Sequence, residues 1–445
     1  MLATLAIIVS ACSGSATPTP AAPSAAAPSA AASAEASMAP SAAPSAASLG
    51  ATTLGSNESD AVPKAAVAAL ADYCQTQAGI TITVNTTSHN TFQNQISSYL
   101  QGKPDDVAKW FAGNRLRFFA AQGLLTPIDD VWAQIGANYT DAFKTASTGA
   151  DGHQYFVPII NYPWVVQYRK SLWTAKGYTV PTTIADFITL AKKMQADGLV
   201  PLAFGDKDGW PAMGTFDILN MRMNGYDFHV ALMAGTEKWT DPKVKAVFQE
   251  WANLLPYFQQ GAPGRTWQDA ANAALVPDAS GKYVAGMYFL GTFAGAGQVP
   301  KADLTDVGMF TFPTLGTAYD SENAMDAPID GFMLTAHPAN VAAAKAFLAC
   351  IGTSGAQKAF TAVSGDIAAV KNADTSGYTP FQVDEAKIIA GAGKIAQFLD
   401  RDARSDFAGP SGMQGFLLSF LNNPSQDLDK FLSGIQSYYD SLPPQ

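Results

Sequence analysis

From about residue 51 onward, short β-branched runs alternate with stretches rich in Ala and Leu, and this rhythm restricts the fold more than any other feature of the chain. A weak strand near 51–55 precedes a helix predicted over 61–77. ITITVN at 80–85 reads as a strand, its Ile and Val alternating with Thr and Asn to give one buried face. A helix over 91–101 ends at Gly102 and Pro104, a strand follows near 107–110, and a helix over 116–122 stops at Gly123. Helices are also predicted at 183–197, 216–224 and 242–258, with the strand-like segments VPLAF (200–204) and KYVAGMYFL (282–290) interspersed. Such alternation predicts an α/β layer with a mostly parallel sheet. Ligands in open α/β sheets sit beyond the carboxyl ends of the strands, so the loops there are where function is sought.

At about 100–200 residues per domain, 445 residues make two to four folded units, and 48% hydrophobic content is enough to fill their cores. A formal net charge of −10 with only 14% charged residues lacks the basic footprint of a nucleic-acid binder. Cys12, Cys74 and Cys350 form no CxxC pair, and His89, His153, His229 and His337 form no HExxH, so neither a disulfide scaffold nor a zinc motif is indicated. DKDG (206–209) fails as a calcium loop because Trp210 stands where a third oxygen ligand is required. No metal and no cofactor is expected.

The first residues, MLATLAIIVSAC, are too short an apolar run to span a bilayer, which takes about 20 residues. Val9-Ser10-Ala11-Cys12 resembles a bacterial lipobox, in which Cys12 receives a diacylglyceryl group, although no Lys or Arg precedes the apolar run. Residues 13–50 are dominated by Ala, Pro and Ser, a composition that buries no core and predicts an extended tether. Signal peptide 1–12, tether and acyl anchor together predict a protein held on the outer face of the cell membrane.

Several segments in order carry a resemblance: GITITVN, SYLQGKPDDV, WFAGNRLRFFAAQGLLTPIDDVW (110–132), the run from DGHQYFVPII to LAKKM (151–194), GKYVAGMYFLGTF (281–293), FTFPTLG (310–316), DAPIDGFML (326–334) and AKAFLACIGTSGAQKAF (344–360). They are similar to the extracellular solute-binding proteins of ATP-driven (ABC) sugar importers, the group that includes the maltose-binding protein. The resemblance implies an α/β, periplasmic-binding-protein-like type II fold: two lobes joined by a hinge, closing on a ligand in the cleft. On this reading residues 51–158 and 305–337 form the N-lobe, and 159–304 and 338–445 the C-lobe. Cys74 and Cys350 then fall in different lobes, where a bridge would restrain closure, so two buried thiols are expected. The resemblance also implies a monomer that delivers its sugar to the transmembrane subunits of a permease.

A sugar offers a weakly apolar C–H face and a rim of hydroxyls, so its site needs aromatic planes and planar polar groups. Trp164, Trp210 and Trp267 lie on Gly- or Pro-rich loops, and Phe293 follows a strand; each resembles a cleft position of the family, against the common alternative of a core aromatic. Asn114 and Arg115 match the family's ligand-binding acid or amide followed by arginine, with a helix-terminal surface charge as the alternative for Arg115. Glu58, His89 and Asn90 sit on loops expected to face the same cleft. Asp330 either accepts hydroxyl protons or caps a turn. Arg401 lies in QFLDRDARSDF, a charged run that is either a solvated surface or a DRD motif reaching the cleft. Two other readings are a receptor for a non-sugar solute and a secreted glycoside hydrolase, which needs two carboxylates facing one bond at about 5–5.5 or 6.5–9.5 Å.

Overall fold

The computed structural model describes residues 48–443. Cys12 and nearly all of the tether lie outside the described residues. No helix among the described residues is long and apolar enough to cross a membrane.

The strands are β1 (Gly50–Ser56), β2 (Ile80–Thr86), β3 (Val107–Phe111), β4 (Phe156–Asn161), β5 (Trp164–Arg169), β6 (Val200–Ala203), β7 (Ala285–Gly291), β8 (Val307–Phe310), β9 (Ala324–Asp326), β10 (Ile329–Leu334), β11 (Ile367–Ala368) and β12 (Lys394–Ala396). They form a six-stranded sheet of order β11-β4-β10-β3-β1-β2, a four-stranded sheet of order β6-β7-β5-β8 and the pair β12-β9. Each large sheet is the centre of one lobe.

The first lobe has helices on both faces of its sheet. Helix Ala61–Ala78 turns Val67, Leu70, Ala71 and Cys74 inward and ends at Gly79, whose φ of 62° is open to glycine at little cost. Leu70 is fully buried, and its truncation to Ala would cost about 2–5 kcal/mol. Helices His89–Gln101 and Asn114–Ala121 pack on the opposite face with Trp110 and Phe119. Strand β3, VAKWF, is buried along its whole length, and this includes Lys109.

The expected organisation needs three corrections. The first sheet is mixed, because β10 enters antiparallel between β3 and β4; the alternation of the early residues gives no sign of a strand that returns from beyond 320. The lobe boundaries also shift. Strand β4 stays in the first sheet to Asn161, and β8 pairs with β5 in the second, so residues 305–310 belong with the second lobe. Helices Val341–Ile351 and Ser354–Ser364 pack on helix Ala61–Ala78, and β11 joins β4, so 341–368 belong to the first lobe. Finally, Cys74 and Cys350 are bonded, with Cα atoms 5.8 Å apart. Because both cysteines lie in the first lobe, the bridge ties two helices of one lobe and places no restraint between lobes.

Candidate functional site

The strand registers explain why one edge of the first sheet collects polar side chains. Strands β1 and β2 run parallel and end at Ser56 and Thr86, so Glu58, His89 and Asn90 follow at the same edge. Antiparallel β10 places Asp330 opposite Phe111 at the end of β3, and β4 ends beside it just before Tyr162. Strand β11 starts at that edge, which brings Asp366 there as well. In the second sheet Trp164 opens β5 opposite Gly291 at the end of β7, so Trp164 and Phe293 share an edge. The two edges enclose a cavity of about 320 Å³.

Its apolar wall belongs to the second lobe. Trp164 stacks on Phe398 at 4.7 Å and meets Trp210 edge-on at 6.3 Å, while Trp267 meets Phe293 edge-on at 5.4 Å. Gly214 makes room for the indole: a Cβ on it would stand 2.2 Å from the Trp164 ring. Phe398 has φ of 83°, a left-handed conformation that a bulky residue adopts only where its surroundings impose it.

The opposite wall is a charge network. Lys109, fully buried, pairs with Glu58 and reaches Asp330 at 3.0 Å. Arg401 pairs with Asp330 at 2.7 Å, donates to the Tyr162 hydroxyl at 2.9 Å and lies 4.1 Å from the centre of the Phe111 ring. Burial acts to raise the Asp330 carboxyl, but Arg401 and Lys109 outweigh it and hold the group below its usual range. Burial likewise opposes charge on Lys109 and Arg401, and the carboxylates overcome it, so both stay protonated. Burial lowers His89, whose ring lies between the amides of Asn57 and Gln93 as a neutral imidazole. Asp366 behaves oppositely: burial, reinforced by Glu58 and Asp330, pushes it up to about 7.

Glu58, His89, Asn90, Trp164, Trp210, Trp267, Phe293, Asp330 and Arg401 all line this cavity. Asn114 and Arg115 do not. Asn114 donates to the Asp402 carbonyl at 2.5 Å, and Arg115 is buried against Gln93 at 2.6 Å and Asp400 at 3.2 Å. They fasten the 400–402 segment to the first lobe, because helix Asn114–Ala121 starts outside the cleft and points its first turn at that segment. Asn57, Tyr162, Asp366, Phe398 and Asp400 line the cavity without having been singled out. Tyr162 and Asp400 adjoin Trp164 and Arg401 in NYPW and DRD, which is a usable signal; Asp366 has none, because a buried acid looks like a surface acid in sequence.

A model of the bacterial extracellular solute-binding protein family matches residues 55–358. The chain belongs to that family. Membership makes it extracytoplasmic and groups it with receptors that bind solutes. The bacterial solute receptor AcbH is 48% identical, covers 88% of this chain and 99% of its own, and superposes with a TM-score of 0.84. That receptor has an exclusive preference for β-D-galactopyranose. A chitin oligosaccharide binding protein, 21% identical with a TM-score of 0.75 over 87% of this chain and 98% of its own, shares the two-lobed fold. Among curated relatives, an ABC transporter extracellular-binding protein of Pyrococcus horikoshii is 29% identical over 64% of this solute-binding chain. A probable sugar-binding periplasmic protein of Rhizobium meliloti is 26% identical over 42% of it. The matches span 63% and 45% of those relatives' lengths.

Proposed function

We propose that this chain is the substrate-binding component of an ABC importer and captures a monosaccharide, a hexopyranose with galactose the first candidate, which it hands to a membrane permease without making or breaking a bond. The observation that carries this reading is the pairing of an aromatic wall with an opposite wall whose charges neutralise one another. The indole face of Trp164, with Trp210, Trp267 and Phe293 around it, suits the C–H face of a pyranose. Asp330 and Arg401 hold each other and present their remaining valences to hydroxyls, with Glu58, His89 and Asn90 at the rim. Asn57 Oδ1, Asp366 Oδ1 and Asp400 Oδ1 are buried without a hydrogen-bond partner among the described residues, and such atoms are ordinarily satisfied, so hydroxyl donors suit them. A site built on hydrogen bonds to hydroxyls rejects analogues that lack one. The 48% identity to a galactopyranose receptor supports the same choice.

Asn114 and Arg115 act at one remove in this proposal, by positioning Asp400 and Arg401. Cys12 and the tether carry the receptor on the outer face of the membrane as a monomer. Titration calorimetry of the purified chain with galactose, glucose, mannose, xylose and maltose tests the proposal: one-to-one binding of a hexose, weakened at least tenfold by Trp164→Ala, is expected. Heat from none of these sugars, or release of reducing ends from an oligosaccharide, contradicts it.

A further inference from the structure

Outside the cleft, three side chains of the second lobe converge away from solvent. Asp217 lies on helix Pro211–Asn224, His229 on helix Tyr226–Met233 and Asp326 at the end of β9, and their exposures are 0%, 0% and 1%. One ligand atom from each lies within 4.8 Å of the others. Asp217 Oδ1, His229 Nε2 and both carboxylate oxygens of Asp326 have no hydrogen-bond partner among the described residues. Atoms of this kind are ordinarily bonded in folded proteins, and isolated buried carboxylates carry a large desolvation cost. Among the described residues no Lys or Arg pairs with either carboxylate, and Asp217 Oδ1 stands 3.9 Å from His229 Nε2. The adjacent Arg401 is already held by Asp330.

We propose that Asp217, His229 and Asp326 hold a structural divalent cation, with zinc the ion that suits one imidazole and two carboxylates. His229 is fully buried beside the two carboxylates, and its Nε2 is unpartnered among the described residues. Its Nδ1 stands 3.1 Å from the side-chain amide of Asn220, which bonds Asn224 at 2.8 Å. Binding an ion through Nε2 has the Asn220 and Asn224 amides turned from the orientation in which Asn220 Nδ2 faces the ring and Asn224 Nδ2 reaches the Lys243 carbonyl at 3.4 Å, so that Asn220 presents its oxygen and the ring donates from Nδ1. Metal-bound histidines are usually oriented by an outer partner in this way. The positions 217, 229 and 326 match no sequence motif for a metal, and the fold alone brings them together.

The ion links this site to the cleft. The second oxygen of Asp217 accepts the Leu399 N–H at 2.7 Å, next to strained Phe398 and just before Asp400 and Arg401. An ion on the other oxygen fixes that carboxylate and so the segment that carries these residues to the cleft. Because the site is closed, it is filled as the chain folds.

The test uses the full chain produced in zinc-supplemented medium, purified without chelator and desalted, with metal content measured by plasma mass spectrometry and the thermal midpoint recorded alongside. About one zinc per chain is expected, and His229→Gln is expected to reduce it at least fivefold and lower the midpoint. Where His229→Gln does not fold, the unmutated chain produced with cobalt decides: visible d–d absorption of a low-coordinate ion supports the site, and its absence overturns it. Folded wild-type chain without stoichiometric metal overturns the proposal in favour of carboxyls neutralised by protons. Full zinc retention by folded His229→Gln overturns it as well.

Discussion

Arg401 and Asp330 meet at 2.7 Å, and each is about nine-tenths or more withdrawn from solvent. Asp330 is held from its other side by Lys109, so a single carboxylate joins a buried lysine of the first sheet to an arginine of the segment after β12. Removing one partner of a buried pair leaves an uncompensated charge, which costs about 3–5 kcal/mol. Arg401→Met is therefore expected to lower unfolding free energy by that order in a denaturant titration and to abolish sugar binding. Adding Asp330→Asn is expected to recover part of the stability but not the binding. A loss below about 1 kcal/mol for Arg401→Met would show that the pair is not energetically coupled.

Gly214 and Trp164 make a prediction from packing. A methyl group on Gly214 would occupy space 2.2 Å from the indole, so the ring must shift from its present place beside Phe398. Overpacking of this kind costs about 1–3 kcal/mol. Gly214→Ala is expected to fold, to show changed tryptophan emission and to lose at least tenfold in affinity for its sugar by calorimetry. Unchanged affinity would mean that the Trp164 plane does not hold the ligand.

Asp366 gives the protein a pH response. Its carboxyl stands at about 7 when folded, against about 3.9 in an unfolded chain, so the folded state binds the extra proton between those values. Stability falls as pH rises through about 4 to 7, by at most about 1.4 kcal/mol per unit, and the effect is complete above the folded value. Asp402, pushed up to about 7 by burial, acts in the same direction, so the test is the difference between proteins. Asp366→Asn is expected to flatten the profile and to be the more stable protein near pH 8. Parallel profiles for wild type and variant would exclude the effect.

The bond between Cys74 and Cys350 joins two helices of the first lobe and closes a loop of chain, 276 positions long, that runs out through the second lobe and back. Bridges of this kind typically contribute about 2–4 kcal/mol. Reduction, or the pair Cys74→Ala and Cys350→Ala, is expected to lower the thermal midpoint and to leave sugar affinity unchanged, since no lobe-to-lobe contact is lost. An affinity change without a stability change would assign the bridge to the hinge instead.

Much of this architecture could be read from local signals. The 80–85 strand and the helices ending at glycines were readable because each depends on a few neighbouring residues. What was not readable depends on long-range pairing. Nothing in DAPIDGFML tells that β10 runs antiparallel between β3 and β4, yet that register brings Asp330 to Lys109. The helices at 341–364 carry no mark of which lobe they cover, and the disulfide follows only once they lie on helix Ala61–Ala78. Asn114 and Arg115 show how a motif can keep its residues while its geometry turns them to a supporting contact with Asp402 and Asp400.

A crystal structure of the chain grown with D-galactose tests the central claim most directly. The account predicts one pyranose in the cleft, its C–H face against Trp164 and its hydroxyls within hydrogen-bond distance of Asp330, Asp366, Asp400 or Arg401. An empty cleft at saturating galactose, or a sugar bound away from Trp164 and these charges, would contradict it.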